Sequence, residues 1–459
     1  MKIPWVLVAA ILGSAMSFID STAVNVSLPV LQRELHTTTG QTQWVIEGYA
    51  LFLSALILTG GALGDLYGRR LVFAIGIVLF AVASLACALA GTVEILIAAR
   101  CVQGIGGALS TPGSLSLISA AYSGEARGRA IGLWSGFSAL TSAAGPIIGG
   151  WLTQTYSWRY VFIINLPIAA IVLLILIFGV KESRDETADR RVDVGGATLA
   201  TVGLGLLVYG LIEMNAARIT PLAVGTAVLG LVVLGIFVLF ERRVSDPMLR
   251  CDLFASRAFS VSNIYTFFLY TAIGGSLYFV PFVLINVHHY SPTAAGAALL
   301  PFIVIMVAAS RWSGGLVARV GPRMPLLLGA IVAGLGFLAY ALPGTDGSYW
   351  TTFFPAAAVL GCGGALFVAP LTTTVMDSVG TEHAGVASGI NNAVARTAGL
   401  IGVALLGVVV TAAPSYLFGF RGAMIASAAL SFAAAVIAAI GFSRSSRPMV
   451  AAKESRAST

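Results

Sequence analysis

Charge is what this sequence has least of. Of its 459 residues only 10% are Asp, Glu, Lys or Arg, where a soluble domain carries about 25%. A water-facing surface cannot be built from so little charge, so a soluble globular protein is excluded however large its core. Lysine is almost missing. Lys2, Lys181 and Lys453 are the whole set, and none sits between a glycine-rich loop and a Ser or Thr. A phosphate-cradling loop needs that context, so no ATP-driven machinery is expected in this chain. Long hydrophilic segments are lacking too. The longest are 181–194, 241–258 and the tail from 444, and none can hold a nucleotide-binding domain. Of four cysteines, Cys87, Cys101 and Cys362 lie in apolar runs and Cys251 in a charged loop. No Cys/His spacing points to zinc or a disulfide framework, so no metal and no other cofactor is expected. With no nucleophile–base constellation either, the chain does not read as an enzyme. The net charge of +7 would fit a nucleic-acid partner, but the basic residues sit in short loops between apolar runs. Anionic lipid and an aqueous compartment are the partners that arrangement suits, and no nucleic acid is expected.

What the sequence has instead is apolar length: 58% hydrophobic residues and a mean hydropathy of +0.93. A spanning helix needs about 20 mostly apolar residues. Fourteen such runs are expected, near 5–28, 43–63, 71–91, 94–119, 128–153, 159–180, 195–213, 222–240, 259–287, 294–317, 325–343, 350–376, 385–411 and 421–442. The runs are continuous rather than alternating, which excludes a transmembrane barrel. The first is too long for the core of a cleaved leader and contains Asp20 and Asn25, so it reads as an anchor. Basic residues fix the orientation. With a cytoplasmic N-terminus, nineteen Lys and Arg fall on the inner side, and only Arg33, Arg159, Arg218 and Arg421 on the outer. Both termini are therefore expected in the cytoplasm.

Two weak internal matches point to duplication. GGALGDLYGRR (60–70) aligns with SGGLVARVGPR (313–323), and QGIGGAL (103–109) with LGCGGAL (360–366), at offsets of 253 and 257. The expected organisation is a six-helix bundle over 1–180, an inserted helix pair with its loops over 181–255, a second six-helix bundle over 256–443, and a tail over 444–459. The halves are unequal. Asp65 aligns with Ala318 and Arg100 with Ala357, so charged chemistry is concentrated in the first half. The second half offers aromatics such as Tyr265, Phe268 and Tyr278.

A charge at membrane depth is costly and marks function by default. At 1.5 Å rise per residue, Asp20 lies about 22 Å from the inner end of the first helix, Arg100 about 9 Å and Glu47 about 6 Å from the outer ends of theirs. All three fall at similar depth in the outer half, so the first, second and fourth helices can bring them together. A buried carboxylate exposed alternately to two compartments can take up and release a proton; the alternative is a fixed Asp20–Arg100 pair that only holds helices together. Glu213, Arg311 and Arg396 read as interfacial or structural. Gly61, Gly64 and Gly68 surround Asp65, Arg69 and Arg70, a pattern that suits close helix contact and an ion-pair latch. Gly145, Pro146, Gly149 and Gly150 read as a weakened, hinge-capable stretch of the fifth helix. Asn25, Tyr49, Trp134, Phe268 and Tyr278 are the candidate lining of a substrate cavity.

Read jointly and in order, these segments resemble the major facilitator superfamily, and within it the fourteen-helix drug:proton antiporters. GALGDLYGRR (61–70) is similar to the family's motif between helices 2 and 3, and FIDSTAVNVSLP (18–29) to its helix 1 motif, with Asp20 at the acidic position. RCVQGIGGA (100–108) resembles the helix 4 motif, GPIIGG (145–150) the helix 5 antiporter motif, and WRYVFIINLPIA (158–169) the entry to helix 6. The second half carries the resemblance thinly, and its copy of the gate motif has no acid at Ala318. The resemblance implies two bundles with alternating access, proton-coupled export of amphipathic cationic drugs or antibiotics, proton-coupling roles for Asp20 and Arg100, and an inner gate at Asp65 and Arg69. It also implies a multi-pass protein of a bacterial inner membrane. A monomer is expected, with protons, lipid and a small-molecule substrate as its partners. A dedicated metabolite or lipid transporter of the same fold, and a non-transporting membrane sensor, are the competing functions.

Overall fold

The computed structural model describes residues 5–122, 124–184, 193–214, 220–244, 247–313, 316–344, 348–379 and 384–442. The tail over 444–459, and with it Lys2, Arg190, Arg191, Arg218 and His383, lies outside the described residues. The side chains of Arg311 and Ala318 lie outside them too.

The described residues are predominantly helical, with no strand among them. In order come α1 (Trp5–Glu34), α2 (Thr39–Tyr67), α3 (Arg69–Leu89), α4 (Val93–Ala121), α5 (Gly124–Thr155), α6 (Tyr160–Ile163) and α7 (Asn165–Gly179). Then follow α8 (Val194–Glu213), α9 (Pro221–Glu241), α10 (Arg257–Asn286), α11 (Pro292–Ala297), α12 (Leu300–Ser313) and α13 (Leu316–Val320). The last four are α14 (Arg323–Ala341), α15 (Phe353–Asp377), α16 (Ala384–Thr411) and α17 (Tyr416–Gly441). Among the described residues, fourteen stretches are long and apolar enough to cross a bilayer, so the expected number of spans and the all-α class both hold. Two spans are built from helix pairs: α6 with α7, and α11 with α12. Pro167 and Pro301 fall in the first turns of α7 and α12, where a missing N–H costs no helical bond.

Helix ends differ from the apolar runs where polar groups extend a helix. α1 runs past Pro29 to Glu34, with the Arg33 Nε donating to the Pro29 carbonyl at 3.3 Å. α17 starts earlier than its apolar run because Ser415 caps it, accepting from the Phe418 N–H at 3.3 Å. Arg421 consequently lies inside that helix, donating to the Pro343 carbonyl at 2.9 Å.

The chain packs as two compact units. The first holds residues 1–249 and 278–297, and α4 is its hub, packed on α1, α2 and α3. In lipid no hydrophobic force draws apolar helices together, so close backbone approach does it. A Cβ at Gly106 would lie 2.6 Å from the Phe80 nitrogen of α3. Phe73, Ile77 and Phe80 of α3 form a core with Met16, Tyr49 and Val172. The α8–α9 hairpin leans on α2, where Trp44 meets Tyr209 with ring centroids 6.4 Å apart. The second unit holds residues 250–277 and 298–459, built on α14 against α15 and α17. There α10 meets α16 through facing glycines, with a Cβ at Gly274 falling 2.5 Å from the Gly399 Cα.

Candidate functional site

Asp20 and Arg100 are both fully buried, and the structure joins them. Arg100 Nη1 of α4 donates to Asp20 Oδ2 of α1 at 2.5 Å. Two ions without water are stable only if their remaining hydrogen-bonding capacity is filled. Here other elements fill most of it. Arg100 Nε donates to the Val45 carbonyl of α2 at 2.9 Å, and Nη1 also reaches Gln103 Oε1 at 2.6 Å. The guanidinium plane lies over the Tyr49 ring, 4.4 Å from its centroid, with Phe162 5.7 Å away. An aromatic face is a good seat for a desolvated arginine. Asp20 Oδ1 accepts from Gln103 Nε2 at 2.9 Å and from Asn165 Nδ2 at 3.1 Å. Both amides also donate to Ser84 Oγ of α3, at 2.8 and 3.2 Å. Cys87 donates to Gln103 Oε1 at 3.8 Å. Donors from α4 and α7 thus reach the carboxylate of α1, and groups from α2 and α3 hold those donors.

Glu47 is not part of this network. It is fully buried in α2, and neither carboxyl oxygen has a hydrogen-bond partner. The helix explains the separation. Val45 faces Arg100, and two residues further on is about 200° around an α-helix.

The other sequence candidates have definite places. Asp65, near the end of α2, pairs at 2.8 Å with Arg69, four residues on at the start of α3. The Asp65 side chain is 44% exposed, so this pair contributes about 0–1 kcal/mol. The N-terminus of α3 is held instead by Glu182, which the sequence reading did not single out. Its carboxylate accepts from the Arg70, Leu71 and Ser183 N–H groups at 3.0, 3.1 and 3.0 Å. Gly68 makes room for it: its φ of +120° suits glycine, and a Cβ would lie 2.8 Å from the Glu182 carboxyl carbon. Gly64 accepts the Gly68 N–H at 3.1 Å, and Gly61 faces Pro112 of α4. Gly68→Ala is expected to destabilise the protein by about 1–3 kcal/mol, the cost of strained backbone at a bulkier residue. A melting curve in detergent measures it, and an unchanged midpoint would remove the Glu182 clamp from the account.

The fifth-helix motif is a contact surface on two sides. Gly145 and Gly149 pack on α1, where a Cβ at Gly149 would lie 2.5 Å from the Ala23 carbonyl oxygen. Gly150 packs on Pro292 of α11, and Gly296 of α11 packs on Pro146. Of the cavity candidates, Tyr49 lies beneath Arg100 and edge-on to Phe80. Trp134 donates to Ser14 Oγ at 2.9 Å, and Ser14 to Ser114, linking α5, α1 and α4. Asn25 is half-buried, with its Oδ1 unpartnered. Phe268 meets Phe267 edge-on, and Tyr278 packs against Phe279 and Phe282.

Gln103, Asn165 and Ser84 are the residues around Asp20 that the sequence did not announce. Gln103 had a signal, one turn from Arg100 on the same face. Asn165 had a fainter one, as a polar residue in the apolar run FIINLP.

Comparison with known proteins agrees with this architecture. The model of the Major Facilitator Superfamily matches residues 10–403. The multidrug resistance protein Stp of Mycobacterium tuberculosis is 38% identical over 412 residues, covering 88% of this chain and 75% of Stp. The tetracenomycin C resistance and export protein of Streptomyces glaucescens is 33% identical over 407 residues, covering 88% of this chain and 76% of its own length. Among solved structures, a bacterial homologue of the human lysosomal transporter Spinster, in an inward-facing and unoccupied conformation, has the same fold. Its TM-score is 0.69 at 16% identity, with 96% of this chain and 98% of that one covered. With fourteen spans, a buried acid–arginine centre and a family match over most of its length, the chain belongs to the Major Facilitator Superfamily.

Proposed function

We propose that this transporter exports amphipathic, cationic drugs or antibiotics in exchange for protons. The observation that carries the reading is the fully buried Asp20–Arg100 pair, held by amide donors from α4 and α7 within the first unit. A dry ion pair is an expensive way to fix helices, since apolar residues of the same shape serve as well or better. An acid that exchanges a proton justifies the expense. The relatives named for multidrug resistance and for tetracenomycin C export support a drug-like substrate.

In this reading Asp20 carries the proton and Arg100 stabilises its ionised form. Glu47 supplies a second buried acid to protons or to the substrate's cationic group. Asp65, Arg69 and Arg70 belong to the cytoplasmic gate, and the fifth-helix glycines to a moving contact. Asn25, Trp134, Phe268 and Tyr278 meet the substrate. The protein works as a monomer in a bacterial inner membrane. An even number of spans, together with the basic loops, supports a cytoplasmic position for both termini.

The test is proton flux in proteoliposomes with an imposed pH gradient, challenged with a panel of lipophilic cations. Wild type is expected to dissipate the gradient when a transported cation is added, and Asp20→Asn is expected to show no cation-dependent flux. Equal flux through both proteins would remove Asp20 from the proton path. No response from wild type to any cation would turn the search to neutral or anionic substrates.

A further inference from the structure

Asp20 as it stands is built for a carboxylate. Its Oδ1 accepts two amide N–H groups and its Oδ2 accepts Arg100 Nη1. An ionised carboxylate only accepts, so the Asn165 side chain must present its Nδ2 here. Protonation changes the requirement, because a carboxylic acid carries an O–H that needs an acceptor. In a dry site an unmet donor is costly.

The acceptors around Asp20 are nearly all in use. Gln103 Oε1 takes Arg100 Nη1 at 2.6 Å and the Cys87 thiol at 3.8 Å. The Val45 carbonyl takes Arg100 Nε at 2.9 Å. Ser84 Oγ takes both amides. The exception is Asn165 Oδ1, which is buried and has no partner. It belongs to the same amide that now donates to Asp20, and Asn165 is itself fully buried.

We infer that Asn165 is a positioning residue that follows the charge of Asp20 by turning its side-chain amide over. This rests on the reading of Asp20 as the proton carrier. With Asp20 ionised, Asn165 Nδ2 donates to Asp20 Oδ1, as in the structure. When a proton from the aqueous phase binds Asp20 Oδ1, that N–H bond breaks. A half-turn about the terminal torsion of Asn165 brings its Oδ1 to the vacated place, and the new acid O–H donates to it. The terminal torsion of asparagine is broad and roughly two-fold, so both orientations are accessible. Ser84 tolerates either, because a hydroxyl donates as readily as it accepts. Both forms of Asp20 therefore keep a partner from α7 without water entering, and the unmet polar atom of Asn165 moves from its Oδ1 to its Nδ2.

Among the described residues, the charged or titratable groups in this cluster are Arg100 on α4, Cys87 on α3, and Tyr49 of α2 beneath the guanidinium. Glu47, also on α2, makes no hydrogen bond to the cluster.

Infrared difference spectroscopy of the purified full-length protein, stepped from alkaline to acid pH, tests this without requiring transport. The Asp20 band is assigned by its loss in Asp20→Asn, and the Asn165 side-chain carbonyl band by its loss in Asn165→Leu. Asn165→Ser serves the same assignment if the leucine variant does not fold. The inference expects the Asn165 carbonyl band to shift to lower frequency in step with Asp20 protonation, as its oxygen gains a donor. If Asp20 titrates while the Asn165 band stays in place, the amide does not turn over, and the proton-carrier reading survives alone. If no Asp20-dependent acid band appears at any pH at which the protein stays folded, the proton-carrier reading falls and takes this inference with it. Transport adds a second readout. Asn165→Leu should shift the pH profile of cation-driven proton flux, with Asn165→Ser falling between it and wild type, whereas a residue that only packs would scale the profile without moving it.

Discussion

Arg100→Ala is expected to abolish coupled transport and to destabilise the protein by about 3–5 kcal/mol, the usual cost of stranding one partner of a buried ion pair. The stranded group is Asp20, which would keep only its two amide donors. Arg100→Lys should recover part of the stability and little of the transport. A lysine offers a point charge, whereas Arg100 uses Nε for the Val45 carbonyl and Nη1 for Asp20 and Gln103 at once. The double variant Asp20→Asn with Arg100→Gln separates the two roles. Removing both charges should restore most of the melting temperature, because no uncompensated ion remains, while proton-coupled flux stays at background. If Arg100→Ala transports normally once inserted in the membrane, the pair is scaffolding and the proton path lies elsewhere. If the double variant is as unstable as Arg100→Ala, the helices depend on the ion pair itself, and its role is structural as well.

The parts of this molecule that sequence reveals are those where membrane physics makes an alternative expensive. Fourteen apolar runs became fourteen spans because lipid leaves a backbone no other way to cross. Asp20 and Arg100 stood out because ions at that depth need a reason. Neutral polar residues carry no such mark. Ser84 and Asn165 look like any other small or amide residue in a helix, and only the packing of α7 on α1 and α3 makes Asn165 a donor to the carboxylate and Ser84 an acceptor of the same amide. Glu182 was hidden for a different reason. It follows α7 and caps α3 across more than a hundred residues, so no local pattern connects them. Equal depth predicts Glu47 beside the pair, but depth along a helix says nothing of azimuth. Beyond the two weak sequence matches, one packing pattern recurs in both units. Gly399 and Gly402 of α16 meet α10 much as Gly145 and Gly149 of α5 meet α1, displaced by 254 and 253 positions. Leu400 stands where the first half has Pro146, the second glycine comes one residue sooner, and Val403 follows it where Gly150 follows Gly149, so the letters hide the likeness.

Gly149→Leu is expected to bring coupled flux to background and to cost about 1–3 kcal/mol of stability, the range for forcing bulk into a packed interface. A Cβ there would lie 2.5 Å from the Ala23 carbonyl oxygen and 2.7 Å from the Ala23 Cα, so backbone, not a flexible side chain, would have to move. Ala23 is one turn from Asp20 on α1. Pushing α1 off α5 therefore drags the carboxylate away from Arg100, Gln103 and Asn165, which approach it from other helices. Gly150→Leu tests the other side of the same motif. A Cβ at Gly150 would meet Thr293 Cα of α11 at 2.8 Å, away from α1. That variant should impair transport while leaving the Asp20 network and its protonation band intact. Gly132→Leu is the control, on the same helix with nothing within 4 Å of its Cβ position, and should stay within about 0.5 kcal/mol of wild type. Flux in proteoliposomes beside a melting curve for each variant reads all three. Normal flux through Gly149→Leu would mean that the fifth-helix glycines are not a contact the transport cycle depends on. Equal losses in Gly132→Leu and Gly149→Leu would mean that leucine disturbs α5 wherever it is placed.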